Sequence, residues 1–408
     1  MAEKKLYPLK FVPLAARTEW GGDRFINVFG KSYTEKIRTT SSTGKPSYKE
    51  VPLTIDDRLG VSYEIADLGD KDSAVADGWL KDCTMSEIME TYLENMVGEY
   101  SYSCYGRQFP LMVRLLDVEG RTPLVVCPDD EIARQRYDTL GKAKLWYVMH
   151  ADEGSSLYLG LSRTLTASEF YAKAIDGTLE EVLFKVTPHS GELFLIPPGM
   201  VHAASSGVLI AEITESSDLD FSIYGWGKKV TDSHVSFSYS PAGKGGTAAV
   251  EELSLEAAFD FIDFKGDGQT CRLGMLSDLM KSAETTIVKR NDLSVSAIDL
   301  KTPLHVNMGD TDVFTIYVCV SGAAEIIPSG GEGVKFGTGE CVLVPASLED
   351  FSIMPLAHGS ALLEATLEPH EATDGYIDPE AEATLPEAQE GQGEGALESL
   401  LRGKTRES

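Results

Sequence analysis

The chain has 408 residues, 42% of them apolar, which is typical of a globular protein with room for two or three domains. Its formal net charge of −28 argues against binding to nucleic acid or to an anionic membrane surface, because both call for basic patches. The N-terminus lacks an apolar signal segment and the chain lacks an apolar run long enough to span a membrane, so we expect a cytoplasmic protein.

Strand signals dominate the chain, with a few helices between them. Capping-box spacing, followed each time by an amphipathic run, predicts helices after Thr84, Thr166 and Thr178, and a fourth helix is predicted over 129–140. Residues 41–49 are predicted to be a loop insertion. Short apolar segments bounded by Gly, Pro, Ser or Asp predict strands at 145–149, 193–196, 208–213, 314–320 and 341–344.

One local pattern occurs twice: a Gly turn, an acidic residue, an apolar strand and a Pro-containing turn. It begins at Gly191 and again at Gly339. The recurrence predicts two copies of one β-barrel unit. The second copy has no His after its proline, so we interpret it as structural.

The first copy carries a longer motif over 191–202, GELFLIPPGMVH. Its spacing (Gly, five residues, Pro, one residue, Gly, two residues, His) resembles the second cupin motif, in which the histidine points into the barrel. A single inward histidine is more often a satisfied core residue than a metal ligand. The complete spacing nevertheless makes His202 a candidate ligand.

Further segments extend the likeness over nearly the whole chain except its end, and they resemble type I mannose-6-phosphate isomerases. They are YPLK at 7–10, WGG at 20–22, LGVSYEIAD at 59–67, FPL at 109–111, CPDD at 127–130, GK at 141–142, WY at 146–147 and GVLIAE at 207–212. The resemblance implies a mainly β fold of two cupin-type barrels, or jelly rolls, with a few peripheral helices. We expect an N-terminal cupin domain over 1–230 and a C-terminal cupin-like domain over 231–367. Residues 368–408, acidic and poor in apolar side chains, are predicted to be a disordered tail.

The resemblance also implies a reaction and a metal site. Family members interconvert mannose 6-phosphate and fructose 6-phosphate, with zinc holding the sugar oxygens as a Lewis acid. The positions of the four family ligands are here Val125, Cys127, Lys144 and His202, so His202 alone is retained. An arginine implicated in catalysis is replaced by Ser222.

Lys144 is the most informative of these replacements. An ammonium near the site repels a dication, and a glutamate with Zn²⁺ has the same net charge as a lysine without metal. We therefore hypothesise that Lys144 itself occupies the cation position, and we expect no cofactor. The alternatives are that Lys144 extends to solvent, or that zinc binds through Cys127 and His202 in a rearranged site.

Three other lysine and histidine positions complete the candidate site. Lys142, the retained lysine of the GK segment, is a candidate for contacting substrate and for catalysis together with Lys144 and His202. His150 follows a predicted strand and is either an acid–base group at the barrel mouth or an ordinary loop histidine. Lys228 is a candidate for holding a phosphate, unless it and its lysine neighbour are simply solvated.

Taken together, these patterns predict a mannose-6-phosphate isomerase homologue with reduced or lost activity that retains binding of a hexose 6-phosphate. Four replacements at five key positions favour this interpretation, because catalytic groups that act as a unit fail together. The alternative is an active metal-dependent aldose–ketose isomerase, and a third possibility is a structural homologue. The sequence leaves the oligomeric state open.

Overall fold

The computed structural model describes residues 5–40, 46–226, 254–280, 282–309 and 311–368. Most of the regular structure is β-strand, and the strands pair antiparallel. This confirms the predicted mainly β fold. Lys228 and the predicted tail lie outside the described residues. None of the helices in the described ranges has the length and hydropathy that a membrane crossing requires.

Two groups of strands follow one another along the chain. The first group is β1 (Leu14–Gly22), β2 (Thr34–Thr40), β3 (Pro46–Pro52), β4 (Leu59–Ile65), β5 (Asp67–Leu68), β6 (Lys71–Asp72), β7 (Leu111–Val118), β8 (Leu124–Val126), β9 (Lys144–Ala151), β10 (Ser156–Leu161), β11 (Leu183–Val186), β12 (Glu192–Ile196), β13 (His202–Ser205), β14 (Val208–Glu215), β15 (Phe221–Tyr224) and β16 (Arg272–Met275). The second group is β17 (Glu284–Lys289), β18 (Ser294–Leu300), β19 (Leu304–Asn307), β20 (Thr315–Ser321), β21 (Ala323–Pro328), β22 (Val334–Gly337), β23 (Cys341–Val344), β24 (Asp350–Pro355) and β25 (Ser360–Thr366).

Helices are short and lie between the strands. They are α1 (Arg24–Asn27), α2 (Met85–Tyr92), α3 (Glu94–Val97), α4 (Glu99–Tyr105), α5 (Asp130–Tyr137), α6 (Ala167–Asp176), α7 (Leu255–Ala258) and α8 (Leu276–Leu279), with 3₁₀ turns at Ile55–Asp57, Leu179–Val182, Phe259–Phe261 and Gly268–Cys271. The Thr84 and Thr166 hydroxyls cap α2 and α6 as predicted. The helix predicted after Thr178 is wrong, because only a 3₁₀ turn forms there before β11 begins.

Four sheets build the two barrels. In the N-terminal barrel a seven-stranded sheet, β1-β4-β7-β14-β9-β12-β16, faces a five-stranded sheet, β11-β10-β13-β8-β15. In the C-terminal barrel the sheets are β17-β18-β25-β20-β23 and β19-β24-β21-β22. The predicted domain boundary at residue 230 stays a prediction; β16, which follows it, pairs with β12 of the first barrel.

A separate ribbon, β2–β3, changes one expectation about the loop insertion. Residues 46–49 belong to β3 and pair with β2, so the insertion contributes to a hairpin. Pro46 begins the strand, a position where its missing N–H costs little.

Side chains alternate between the two faces of the seven-stranded sheet and so contribute to two different cores. Val113, Leu145 and Ile213 on one face of the seven-stranded sheet pack with Val318 and Leu363 of the C-terminal barrel. Because side chains alternate across a strand, residues next to these point into the N-terminal barrel. This inward face carries the polar residues of the candidate site.

Candidate functional site

Arg114, Trp146 and Glu212 form a row across the three central strands of the N-terminal barrel. In the register of β7, β14 and β9, Glu212 is paired with Arg114 on one side and with Trp146 on the other. The Arg114 guanidinium binds Glu212, and the Trp146 indole N–H donates to Glu212 Oε2 at 2.7 Å. Glu212 is fully buried, so this row satisfies a carboxylate that water cannot reach.

The opposite sheet supplies Val125, His202 and Ser222. Val125 is paired with His202 on one side and with Ser222 on the other. Their strand neighbours pack in a separate apolar cluster on the outer face of the sheet, so alternation points these three side chains into the barrel. Val125 and Ser222 are partly exposed, whereas His202 is buried.

Lys144 enters the space between the two sheets. Its Nζ lies 2.9 Å from His202 Nε2, 2.5 Å from Asp220 Oδ1 and 3.9 Å from Glu212 Oε2. Only 2% of its side chain is exposed, so the alternative that it extends to solvent is wrong. The ammonium is held inside the barrel by a histidine and a carboxylate.

Asp220 is a second point of convergence. Its Oδ2 accepts hydrogen bonds from Lys142 Nζ at 2.7 Å and from Arg114 Nη2 at 2.9 Å. The Cys127 thiol donates to its Oδ1 at 3.1 Å, beside the bond from Lys144. Asp220 therefore joins groups that come from both sheets of the barrel.

The cluster carries an excess of positive charge. Arg114, Lys142 and Lys144 are three cations and Glu212 and Asp220 two carboxylates, which leaves a net charge of +1 when all are ionised. Burial favours the neutral acid, but the attraction of the cations is larger and holds the pKa of Asp220 well below its usual range.

The two buried lysines differ in their electrostatic environment. Burial opposes the charge of Lys144, but its contact with Asp220 outweighs burial and raises the pKa of Lys144 above its usual value. For Lys142 burial is the larger effect and lowers its pKa, although Asp220 acts in the opposite direction. Lys144 is thus the better-anchored cation of the pair.

His202 and Cys127 are held in their neutral forms. Burial, reinforced by the Lys144 ammonium, lowers the pKa of His202 to about 3. The other ring nitrogen, Nδ1, lies 2.9 Å from the Met200 carbonyl oxygen and donates to it, so Nε2 is the acceptor that faces Lys144. Burial raises the pKa of the Cys127 thiol to about 12.

A metal ion would have to share this space. Ligand atoms of Cys127, His202 and Asp220 lie within 4.8 Å of one another, a suitable set of donor types for zinc. The Lys144 ammonium, however, contacts both the histidine nitrogen and the carboxylate of that set. A divalent ion fits these residues only if Lys144 loses its proton or withdraws, and if the thiol ionises.

The remaining residues predicted from sequence lie elsewhere. His150 is six residues beyond Lys144 on β9, about 20 Å along an extended strand. It is half exposed, and its Nε2 lies 2.8 Å from Asp152 Oδ1. The structure thus brings together Cys127, Lys142, Lys144 and His202, but not His150.

Arg114, Glu212 and Asp220 were not predicted from the sequence as site residues. A signal existed for the first two, because each interrupts an apolar strand, and buried charges are rare unless paired. Asp220 lies in a polar connection between β14 and β15, where an acidic residue is unremarkable. Its role follows only from the three-dimensional contacts.

The chain matches no family model. It is 25% identical over 299 residues to mannose-6-phosphate isomerase ManA of Bacillus subtilis, covering 72% of this chain and 86% of that protein. The crystal structure of mannose 6-phosphate isomerase from Bacillus subtilis superposes with a TM-score of 0.66 at 20% identity, over 88% of this chain and 99% of that one. A variant of phosphomannose isomerase from Salmonella typhimurium gives a TM-score of 0.63 at 12% identity, over 89% and 100% of the two chains.

Proposed function

We propose that this chain, which is similar to mannose-6-phosphate isomerases in sequence and fold, is a member of that family whose N-terminal barrel binds a hexose 6-phosphate and has lost most of the metal-dependent isomerisation. The single observation that carries this proposal is the position of the Lys144 ammonium, between His202 and Asp220 inside the barrel. A fixed monovalent cation there takes the place that a metal ion would need.

The protonation states of the cluster support the loss of turnover. Aldose–ketose isomerisation requires a base that removes a proton from carbon and returns it to the neighbouring carbon. His202 offers only Nε2, which already accepts from Lys144, and its pKa of about 3 makes it a weak base. Asp220 and Glu212 are each held by cations that lower their pKa values, so neither is poised to take a proton near pH 7.

Retention of ligand binding is supported by the charge of the same cluster. A phosphoryl group or a sugar oxygen that gains negative charge is stabilised by closely spaced ammonium and guanidinium groups. Lys142, Lys144 and Arg114 lie within hydrogen-bond distance of one carboxylate, which shows how closely their donors converge.

One observation favours the second candidate function, an active metal-dependent isomerase. Cys127, His202 and Asp220 remain close enough to act as ligands of one ion. In that case the Lys144 side chain would lose its proton or leave the site on metal binding, and zinc would polarise the sugar carbonyl.

Binding, metal content and turnover measured on the same preparation test the proposal. We expect mannose 6-phosphate to raise the melting temperature of the full chain, mannose not to do so, and metal analysis to give far less than one zinc per chain. A coupled assay for fructose 6-phosphate should show no turnover above background, with or without added zinc. Stoichiometric zinc together with turnover that His202→Ala abolishes would establish the second candidate instead.

A further inference from the structure

Asp220 uses all of the roughly four acceptor positions of its carboxylate. Its two oxygens accept from Lys142, Arg114, Lys144 and the Cys127 thiol, four donors of which three are cationic. Such a set of charge-assisted donors around two oxygens is the arrangement by which proteins bind phosphate or carboxylate ligands. In this chain a side chain of the protein itself occupies that position.

Asp220 lies outside the strands, in a position that favours a reversible interaction. Arg114, Lys144 and Glu212 lie at or within strands of the central sheet, but Asp220 belongs to the connection between β14 and β15. Its side chain is 22% exposed, whereas that of Lys142 is fully buried. A connecting segment moves at a lower cost in free energy than a strand that is hydrogen-bonded on both sides.

We propose that Asp220 is an internal anion, which the oxyanion of a bound ligand displaces so that it pairs with Arg114, Lys142 and Lys144. This inference rests on the proposed function and assigns the end of the ligand that enters the barrel: the phosphoryl group lies innermost. With Asp220 withdrawn, three cations face Glu212 alone, and the net charge rises from +1 to +2. That charge matches a phosphate dianion.

The cleft beside the Asp220 segment favours the same orientation. It has a volume of about 510 Å³, and its lining residues include four acidic ones, Asp67, Glu90, Asp138 and Asp218, and one basic one, Arg107. Four carboxylates repel a phosphoryl group, whereas carboxylate oxygens accept hydrogen bonds from sugar hydroxyls. A ligand that carries both groups is therefore better placed with its anion in the barrel and its hydroxyls toward the cleft.

Removing the Asp220 carboxylate should strengthen the binding of phosphate. Inorganic phosphate titrated calorimetrically into Asp220→Asn should bind at least about tenfold more tightly than to the wild type, because no competing carboxylate has to leave. Glu119→Gln, which removes the same charge from an exposed turn, should change the affinity less than about twofold. Equal or weaker phosphate binding by Asp220→Asn than by the wild type would overturn the inference.

Mannose 6-phosphate and mannose separate this inference from the proposed function. If the wild type binds mannose 6-phosphate but Asp220→Asn binds it less well, the function stands and the displacement is wrong. The opposite result is that mannose 6-phosphate binds to Asp220→Asn but not to the wild type, and that Asp220→Asn binds inorganic phosphate just as tightly. In that case the displacement stands and the hexose 6-phosphate is not the ligand. Mannose should bind to neither protein detectably.

A measurement on the wild type covers the case in which Asp220→Asn does not fold. Hydrogen–deuterium exchange of residues 216–220 should become faster when mannose 6-phosphate saturates the protein, because the segment loses its anchors at Asp220. Ordinary contact between ligand and segment would instead slow exchange there. Slower exchange at saturation would contradict displacement.

Discussion

Replacing Lys144 by Glu should convert the cation position into a zinc site. The substitution changes the net charge of the cluster from +1 to −1, and Zn²⁺ bound together with an ionised Cys127 brings it to 0. It also adds a carboxylate beside Cys127, His202 and Asp220, whose ligand atoms already lie within 4.8 Å of one another. Four protein ligands of these types suit a closed tetrahedral zinc site.

Mass action gives the size of the stabilisation by zinc. Free zinc at 100 times its dissociation constant stabilises the folded state by about 2.7 kcal/mol. For a domain of 150–250 residues this corresponds to a rise of roughly 5–10 °C in the melting temperature. Because burial raises the pKa of the Cys127 thiol to about 12, zinc must release its proton, and the shift should grow between pH 6 and pH 8.

Thermal melts with zinc or a chelator, together with metal analysis after dialysis, measure the effect. Lys144→Met is the matched control: it removes the ammonium without adding a ligand, so it should give a smaller shift than Lys144→Glu. The wild type should give none. A wild-type shift as large as that of Lys144→Glu, or one zinc per wild-type chain as purified, would refute the argument that Lys144 excludes the ion.

Three further changes test the surroundings of the site. Arg114→Met removes the main partner of the buried Glu212 and should cost about 3–5 kcal/mol in denaturant unfolding, less when Glu212→Gln is added. Burial raises the pKa of Asp67 from 3.8 to about 6, so the wild type loses stability as pH rises through that range. Asp67→Asn should therefore be as stable as the wild type near pH 4 and more stable by up to about 3 kcal/mol above pH 7. Gly141→Ala would place its Cβ 2.4 Å from the Asp130 backbone nitrogen, so urea unfolding should show a loss of about 1–3 kcal/mol.

The fold was predictable because the informative residues act locally. Gly191 and Gly339 both adopt a positive φ, which the turn before each strand requires, and Pro197 and Pro345 follow where the strands have ended. These constraints do not depend on the rest of the chain. The capping pattern at Thr178 failed for a related reason: the segment after it packs as β11 against β10, and the sheet outweighs the helix signal.

The site was only partly predictable because its charges are balanced across distant segments. Cys127, Lys144 and His202 could be placed by a motif, since each has a fixed position in the barrel hairpins. Asp220 could not, because its importance comes from donors 76 to 106 residues away in the sequence. Long-range ion pairing leaves no periodic pattern in the sequence that an observer could find.

The two barrels of this chain differ in what fills them, and the difference bears on function. The core of the C-terminal barrel is built from apolar side chains such as Tyr317, Phe336 and Phe351. The N-terminal barrel instead buries Arg114 and Lys144 with their carboxylates, although replacing buried ion pairs by apolar side chains is often neutral or stabilising. Stability alone therefore does not account for these charges. If the N-terminal barrel had only a structural role, apolar side chains could fill it as they fill the C-terminal barrel. Its charged interior therefore favours a site that still binds an anionic ligand.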